Sequence, residues 1–346
     1  MSDLYTDAGV NIEAGQEVVN RIKDKVKSTH TSSVLTGIGS FGALYDLKEI
    51  VNSYKEPVLV QSIDGVGTKL IVAEMMGVYD SVGKDIVNHS CNDIVAMGAR
   101  PITFLDYVAH EKLNPEIMED MVAGMADACK ENKVSLIGGE TAEMPGVYLP
   151  GQHDIAGCIT GIVDRNKIIT GEKIQEGDII FGLASNGLHT NGYSLARKLI
   201  FDKAGLKVDS KIPELTETIG EALLKPHINY TNPIFALLDG GIEVRGIAHI
   251  TGGGFLDNIP RVLPENLNAI ITKGTWPVLP IFEVMQKIGN VPEQEMYQVF
   301  NMGIGLVFIV SQSEVEKVKE ILKAYSNFSL YQIGQIEKGA GVVILK

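Results

Sequence analysis

Apolar positions along the chain follow two alternating rhythms. Ile12, Val18, Val19, Ile22 and Val26 recur at helical spacing and predict an amphipathic helix over 12–27. A polar, glycine-rich stretch, THTSSVLTGIGSFGALYDL, interrupts the pattern. A strand signal over 57–63 then runs into DGVGTK. Val82, Ile86, Ile94 and Met97 make one stripe of a helix over 79–97 that stops at Gly98. Beyond it the pattern predicts a strand over 101–109, a helix over 115–132, and strands over 134–139 and 153–164. A second series follows: strand 178–184, helix 192–204, further helices to about 240, strand 243–250 and helix 255–263. It closes with helical residues 277–300, strand 305–311, helix 313–325 and two short strands.

The polar stretch Gly171–Gly177 separates the two series, so two domains are expected, 1–170 and 171–346. Helices and strands alternate in both, which makes the class α/β or α+β. Of the 346 residues 45% are hydrophobic, an ordinary globular composition. The net charge of −13 argues against a nucleic acid or an anionic membrane surface as main partner, and leaves room for a small anionic ligand held by backbone N–H groups or a cation. Cys91, Cys129 and Cys158 form neither a disulfide framework nor a zinc motif. The polar, acidic N-terminal stretch does not read as a signal peptide, and the longest apolar run, Ile304–Val310, is far short of a membrane span. A cytoplasmic protein is expected.

Four segments of the first half carry chemistry. Gly37, Gly39 and Gly42 fit G-x-G-x-x-G, with Asp64 further on at a strand end, as in a dinucleotide fingerprint. The motif should follow a buried strand, however, and the residues before it are too polar; a flexible loop over phosphates and a plain linker stay open. Next, a strand delivers Asp64, Gly65, Gly67, Thr68 and Lys69 to one mouth, as a phosphate turn or as a tight turn in which Asp64 caps a helix. On the 79–97 helix, Asp85, His89 and Asp93 share one polar face and Asn88 and Asn92 the adjacent row, either as a solvated face or with Asp93 reaching a cation. Glu140 follows a buried strand. Asp64, Asp93 and Glu140 are hard oxygen donors at element ends, a set that suits Mg²⁺ on substrate phosphates.

In the second half, His189 sits in a glycine- and asparagine-rich loop and is a candidate proton carrier, while Thr190 and Asn191 are explained as helix caps. Thr251, Gly252, Gly253 and Gly254 form a turn at a helix start, with Asp257 in the first helical turn, a geometry suited to phosphate or to close packing. His30, His110, His153 and His227 have no motif context and are read as structural.

The stretches DGVGTK, NHSCNDIVAMGARP, GGETAEMPG, GLASNGLHTNGYSLAR, HITGGGFLDNIPRVLP and FNMGIG, in this order, resemble the aminoimidazole ribonucleotide synthetase (phosphoribosylformylglycinamidine cyclo-ligase) family. The resemblance implies ATP-dependent ring closure of formylglycinamidine ribonucleotide. It implies a two-domain fold, with an N-terminal mixed sheet that enters a barrel-like homodimer interface and a C-terminal α/β domain that binds substrate. It also implies ATP and Mg²⁺ as cofactors. Asp64, Asp93 and Glu140 would hold the metal and Lys69 would offset phosphate charge. The 37–42 loop, with Asp46, and Asn92 would serve the nucleotide. His189 and Asn191 would lie near the reacting amide, and Thr251–Gly254 with Asp257 would take a substrate phosphate.

Sister families are disfavoured by particular residues. A selenophosphate synthetase would carry a reactive cysteine in its glycine-rich leader, whereas the first cysteine here is Cys91. A hydrogenase-maturation dehydratase would end in a cysteine tail, and a thiamine-monophosphate kinase would place an Asp where Gly252–Gly254 stands. A nicotinamide-dependent oxidoreductase built on 37–42 and a non-catalytic nucleotide-binding regulator are the readings from other classes.

Overall fold

The computed structural model describes residues 9–325 and 328–346. The first eight residues, part of the polar stretch read as carrying no signal peptide, lie outside the described residues. Two compact units result: one of residues up to Ile94 together with Ala99–Lys167, the other of Val95–Gly98 together with Ile168–Lys346.

The first unit is built on four strands, β1 (Pro57–Gly65), β2 (Arg100–His110), β3 (Ser135–Glu143) and β4 (His153–Asp164). They stand in the order β1-β4-β2-β3, antiparallel except for the parallel β2–β3 pair. Among the described residues the helices that accompany them are α1 (Ile12–Lys27), α2 (Lys48–Asn52), α3 (Lys69–Met76), α4 (Asp80–Val95) and α5 (Pro115–Asn132). Asn11 accepts a hydrogen bond from the Ala14 N–H and so caps α1. Asn114 caps α5, with Pro115 at its first position. The stripe Ala14, Val18, Ile22 and Val26 is buried, while Ile12 and Val19 face out, so the apolar face of α1 is narrower than the sequence suggests. Alternation along the strands puts Ile155, Ile159, Phe104 and Val108 in the core. The opposite face carries Leu59, Ile63, Leu105 and Tyr107, all exposed.

The second unit holds a six-stranded sheet of β5 (Ile179–Ala184), β6 (Gly246–His249), β7 (Leu267–Ile271), β8 (Ile304–Val310), β9 (Leu330–Lys338) and β10 (Val343–Leu345), in the order β10-β7-β9-β5-β8-β6. Only β10–β7 is parallel. Every residue of β8 is buried, as a central strand covered on both faces requires. The helices are α6 (Tyr193–Arg197), which runs on as a π-turn over Lys198–Lys203, α7 (Ile219–Leu224), α8 (Thr231–Asp239), α9 (Gly254–Asn258), α10 (Pro280–Gly289), α11 (Glu293–Val299) and α12 (Val315–Leu322). A capping box between Thr218 and Glu221 starts α7. Phe181, Leu183, Ile234, Leu237, Phe308, Val318 and Leu322 fill one core cluster.

Three elements depart from the expectations. Helix α3 follows DGVGT directly, where the sequence offers no separate helix signal. Strand β7 was not anticipated. The helical stretch 277–300 is two helices, broken at Asn290, which takes a left-handed φ of 52°, and at Pro292, which cannot continue a helix hydrogen-bond ladder.

Candidate functional site

Strand β1 carries Asp64 to its end, and α4 carries His89 and Asp93 one turn apart. Nε2 of His89 lies 2.7 Å from Oδ2 of Asp64 and 3.5 Å from Oδ2 of Asp93. The Ser62 hydroxyl donates to Asp93 at 3.5 Å, and the Gly65 N–H donates to Oδ1 of Asp64 at 2.7 Å. His89 is buried. Burial lowers its pKa, but the hydrogen bonds and charges of Asp64 and Asp93 outweigh that and push it up to about 9, so it is cationic at neutral pH. Burial raises the Asp64 carboxyl, and the hydrogen bond and charge of His89 reverse this, leaving it below its ordinary value. Two carboxylates are thus held together around one imidazolium. Asp64, Asp93 and Ser62 form an all-oxygen donor set, which fits a hard cation such as Mg²⁺ that keeps waters and shares phosphate oxygens.

Three of the expected groups in this unit have surroundings that the sequence does not show. The polar face of α4 is not solvated: Asp85, Asn88, His89 and Asn92 are all buried, so Asn92 presents no surface to a nucleotide. Lys69 turns inward. Its Nζ lies 2.7 Å from Oδ2 of Asp85 with both side chains fully buried, and it answers that carboxylate rather than a phosphate. Burial lowers the Lys69 pKa and Asp85 offsets part of the drop. Glu140 does not join the cluster. Asp64 stands opposite Gly157, which stands opposite Asp106, which stands opposite Gly139. Glu140 belongs to the next row, with Tyr107 and Ala156. Because successive side chains leave a strand on opposite faces, Asp64 and Glu140 emerge on opposite sides of the sheet.

Asp106, which the sequence did not single out, shares the Asp64 face. Burial first, and Glu140 to a lesser degree, push its carboxyl up to about 7. It lines a cavity of about 680 Å³ with Val18, Ile22, Met118 and Val122, roofed by residues 37–43. That volume lies within the range of small-molecule sites. The roof is a loop fastened at its base by the Val34–Tyr45 bridge, with the Leu35 N–H donating to the Leu44 carbonyl at 2.9 Å. Among the described residues no strand precedes it, and the dinucleotide reading of Gly37, Gly39 and Gly42 needs a strand leading directly into the motif. Phe41 stands fully exposed at its tip. Asp46 lies just past it, and its Oδ1 accepts from the Lys48 N–H at the start of α2. Gly67 turns the chain with φ 58° into Thr68, the residue before α3.

In the second unit the loop after β5 and the turn after β6 meet. A Cβ built on Gly252 would lie 3.3 Å from Oδ1 of Asn191. The Thr251–Gly254 turn is locked by Asn258, whose Nδ2 donates to the carbonyls of Gly252 at 3.1 Å and Gly254 at 2.8 Å. Gly253 and Gly254 have φ of 94° and 55°, and a side chain on Gly254 would run into the Tyr297 carbonyl. Asp257 accepts from Gln298 at 2.6 Å. The helix that follows has only five residues, so the turn's own N–H groups, more than a long helix dipole, define any anion site there. His189 is fully buried, with φ 63°. It stacks on His227 at a centroid distance of 4.0 Å. His227, read as structural from the sequence, is central to this group.

The chain matches the AIR synthase related protein, N-terminal domain over residues 46–163 and the C-terminal domain of the same family over 175–346. Its fold is that of this two-domain superfamily. It resembles the crystal structure of hydrogenase maturation protein HypE in complex with ATP (TM-score 0.70, 17% identity, 98% of this chain and 93% of that one). It also resembles thiamine-monophosphate kinase from Stenotrophomonas maltophilia (TM-score 0.68, 17% identity, 95% and 96%). Closer in sequence are the phosphoribosylformylglycinamidine cyclo-ligases of Syntrophotalea carbinolica (50% identity, covering 97% of this chain and 95% of the relative) and of Carboxydothermus hydrogenoformans (48%, 99% and 98%). The chain belongs to the phosphoribosylformylglycinamidine cyclo-ligase family.

Proposed function

We infer that this chain catalyses the ATP-dependent closure of formylglycinamidine ribonucleotide to aminoimidazole ribonucleotide, with release of ADP and phosphate. The observation that carries this reading is the match to cyclo-ligases at 48–50% identity over nearly the whole chain. The amide oxygen of the substrate is a poor leaving group. Its phosphorylation by ATP activates the carbon, an amidine nitrogen attacks there, and phosphate departs. No protein nucleophile is required, so the residues contribute position and charge.

Asp64 and Asp93, organised by His89, are the residues that would hold Mg²⁺. The ion supplies neutralisation of charge on the transferring phosphoryl group. The glycine loop and the cavity beneath it serve the nucleotide, on the face of the sheet that carries Asp64. Asn191 and the Thr251–Gly254 turn serve the substrate, with the turn N–H groups toward its phosphate. His189, being buried, acts on that group from beneath.

The chain works as a homodimer in this reading. Leu59 and Ile63 are 56% and 74% exposed on a sheet face that also carries Leu105 and Tyr107, an apolar surface that a second copy would cover. Among the described residues no helix is long and apolar enough to cross a membrane, and the cytoplasm is the compartment proposed. Incubation of the purified full chain with formylglycinamidine ribonucleotide, ATP and Mg²⁺ tests the reading. Equimolar ADP and aminoimidazole ribonucleotide are expected; absence of both overturns it.

A further inference from the structure

A file of polar side chains runs through the second unit. Nδ2 of Asn191 donates to Oγ1 of Thr190 at 3.3 Å. Oγ1 of Thr190 lies 3.3 Å from Nδ1 of His227. Nε2 of His227 lies 2.9 Å from Nε2 of His249. Thr190, His227 and His249 are each buried. The room for this packing comes from β8, where a Cβ on Gly305 would fall 2.2 Å from Oη of Tyr230 and 2.4 Å from Cε1 of His189.

The chemistry of the donors sets a direction. An amide nitrogen only donates, so the Thr190 hydroxyl accepts from Asn191; in the assignment proposed here it gives its own proton to Nδ1 of His227. The proton of His227 is then on Nε2. Two ring nitrogens 2.9 Å apart share one proton, so Nε2 of His249 accepts and His249 carries its proton on Nδ1. One ring therefore joins the loop holding Asn191 to the strand end that leads into the Thr251–Gly254 turn.

We propose that His227 is a positioning residue of the ring-closing reaction: it fixes the tautomer of His249 and the orientation of Thr190 and Asn191 through this one-way chain. The inference rests on the cyclo-ligase reading for its effect on turnover, but the chain itself is a property of the free protein. His227 touches no reacting atom; it acts through its neighbours. Losing a hydrogen-bond partner that orients groups at a site costs about 10- to 100-fold where metal ligands are concerned, and a loss of that order in kcat is expected here through Thr190 and Asn191.

Two variants separate positioning from bulk packing. His227→Gln places an amide nitrogen near the former Nε2 and keeps the link to His249, while His227→Asn keeps only the side facing Thr190. Long-range nitrogen–proton NMR of full-length protein labelled at histidine, without substrate, reads the tautomer. In the wild type and His227→Gln, the His249 signal is expected to show Nδ1 protonated and Nε2 bare. In His227→Asn it becomes a mixture. Steady-state kinetics are expected to show kcat reduced in His227→Asn and largely restored in His227→Gln, with the KM for ATP unchanged in both. A wild-type His249 protonated on Nε2, or a tautomer that does not respond to His227→Asn, overturns the proposal even if turnover is present. Absence of turnover in the wild type, with the expected tautomers seen, overturns the functional reading instead.

Discussion

His89 meets Asp64 at 2.7 Å, and this pairing draws a strand end and a buried helix face into one site. The imidazolium holds the Asp64 carboxyl below its ordinary value, against burial and the neighbouring Asp93, which would push it up. In the proposed function, a cation arriving with phosphate oxygens would find these two carboxylates already gathered.

Asp93→Asn replaces the carboxylate proposed as a metal ligand by an amide of nearly the same volume. Turnover is expected to fall by roughly 100-fold or more, the scale for losing one electrostatic contributor to a transition state. Far-ultraviolet circular dichroism should be unchanged. Wild-type kcat in this variant would remove Asp93 from the mechanism.

Lys69 and Asp85 form a fully buried pair, so breaking it by Lys69→Met is expected to cost about 3–5 kcal/mol in urea unfolding. Adding Asp85→Leu should recover most of that loss, because no unpaired charge then stays buried. A Lys69→Met protein as stable as wild type would contradict the pair's structural role.

His110 and His153 share one proton between Nδ1 atoms 2.8 Å apart. Burial, and then the neighbouring His153, hold the His110 pKa down to about 4, and burial also lowers that of His153. The folded protein therefore keeps His110 neutral where the unfolded chain would protonate near pH 6.5. Stability from this source is complete above pH 6.5 and is lost as pH falls toward 4, by up to about 3 kcal/mol. Melting temperatures measured from pH 7.5 to 4.5 should drop more steeply for the wild type than for His110→Asn; parallel curves would refute it.

Leu59→Arg places a charge on the apolar sheet face. Sedimentation of the wild type should show a dimer, and of the variant a monomer with an intact fold. A monomeric wild type would leave that face without its proposed cover.

Much of the fold was legible because strong periodicity survives tertiary context. Helix α5 and strand β4 occupy the anticipated residues, 115–132 and 153–164. Five-residue β7 was hidden in LPENLNAII, where Pro264 and two asparagines mask a short apolar run. Helix α3 was hidden because KLIVAEMM is apolar on nearly every side. At the site, the spacing of Asp85, His89 and Asp93 was visible, but the burial of Asp85 and His89 was not. That burial depends on Lys69 and Asp64 arriving from other elements. Glu140, which lines the cavity under the 37–43 loop and stands apart from Asp64 and Asp93, could not be placed from the sequence for a related reason. Which face a strand residue takes is settled by register against its neighbours, and a shift of one position reverses it. His227 lacked a local motif altogether; only the folded chain brings it between Thr190 and His249.

The central claim is that Asp64 and Asp93 together hold a divalent ion on the nucleotide. Electron paramagnetic resonance of Mn²⁺, added with a non-hydrolysable ATP analogue, measures this directly as loss of the free-ion signal. Wild-type protein is expected to bind Mn²⁺ in a nucleotide-dependent way, and the Asp64→Asn, Asp93→Asn double variant to leave it free while still folded. Equal Mn²⁺ binding by the two proteins would contradict the account.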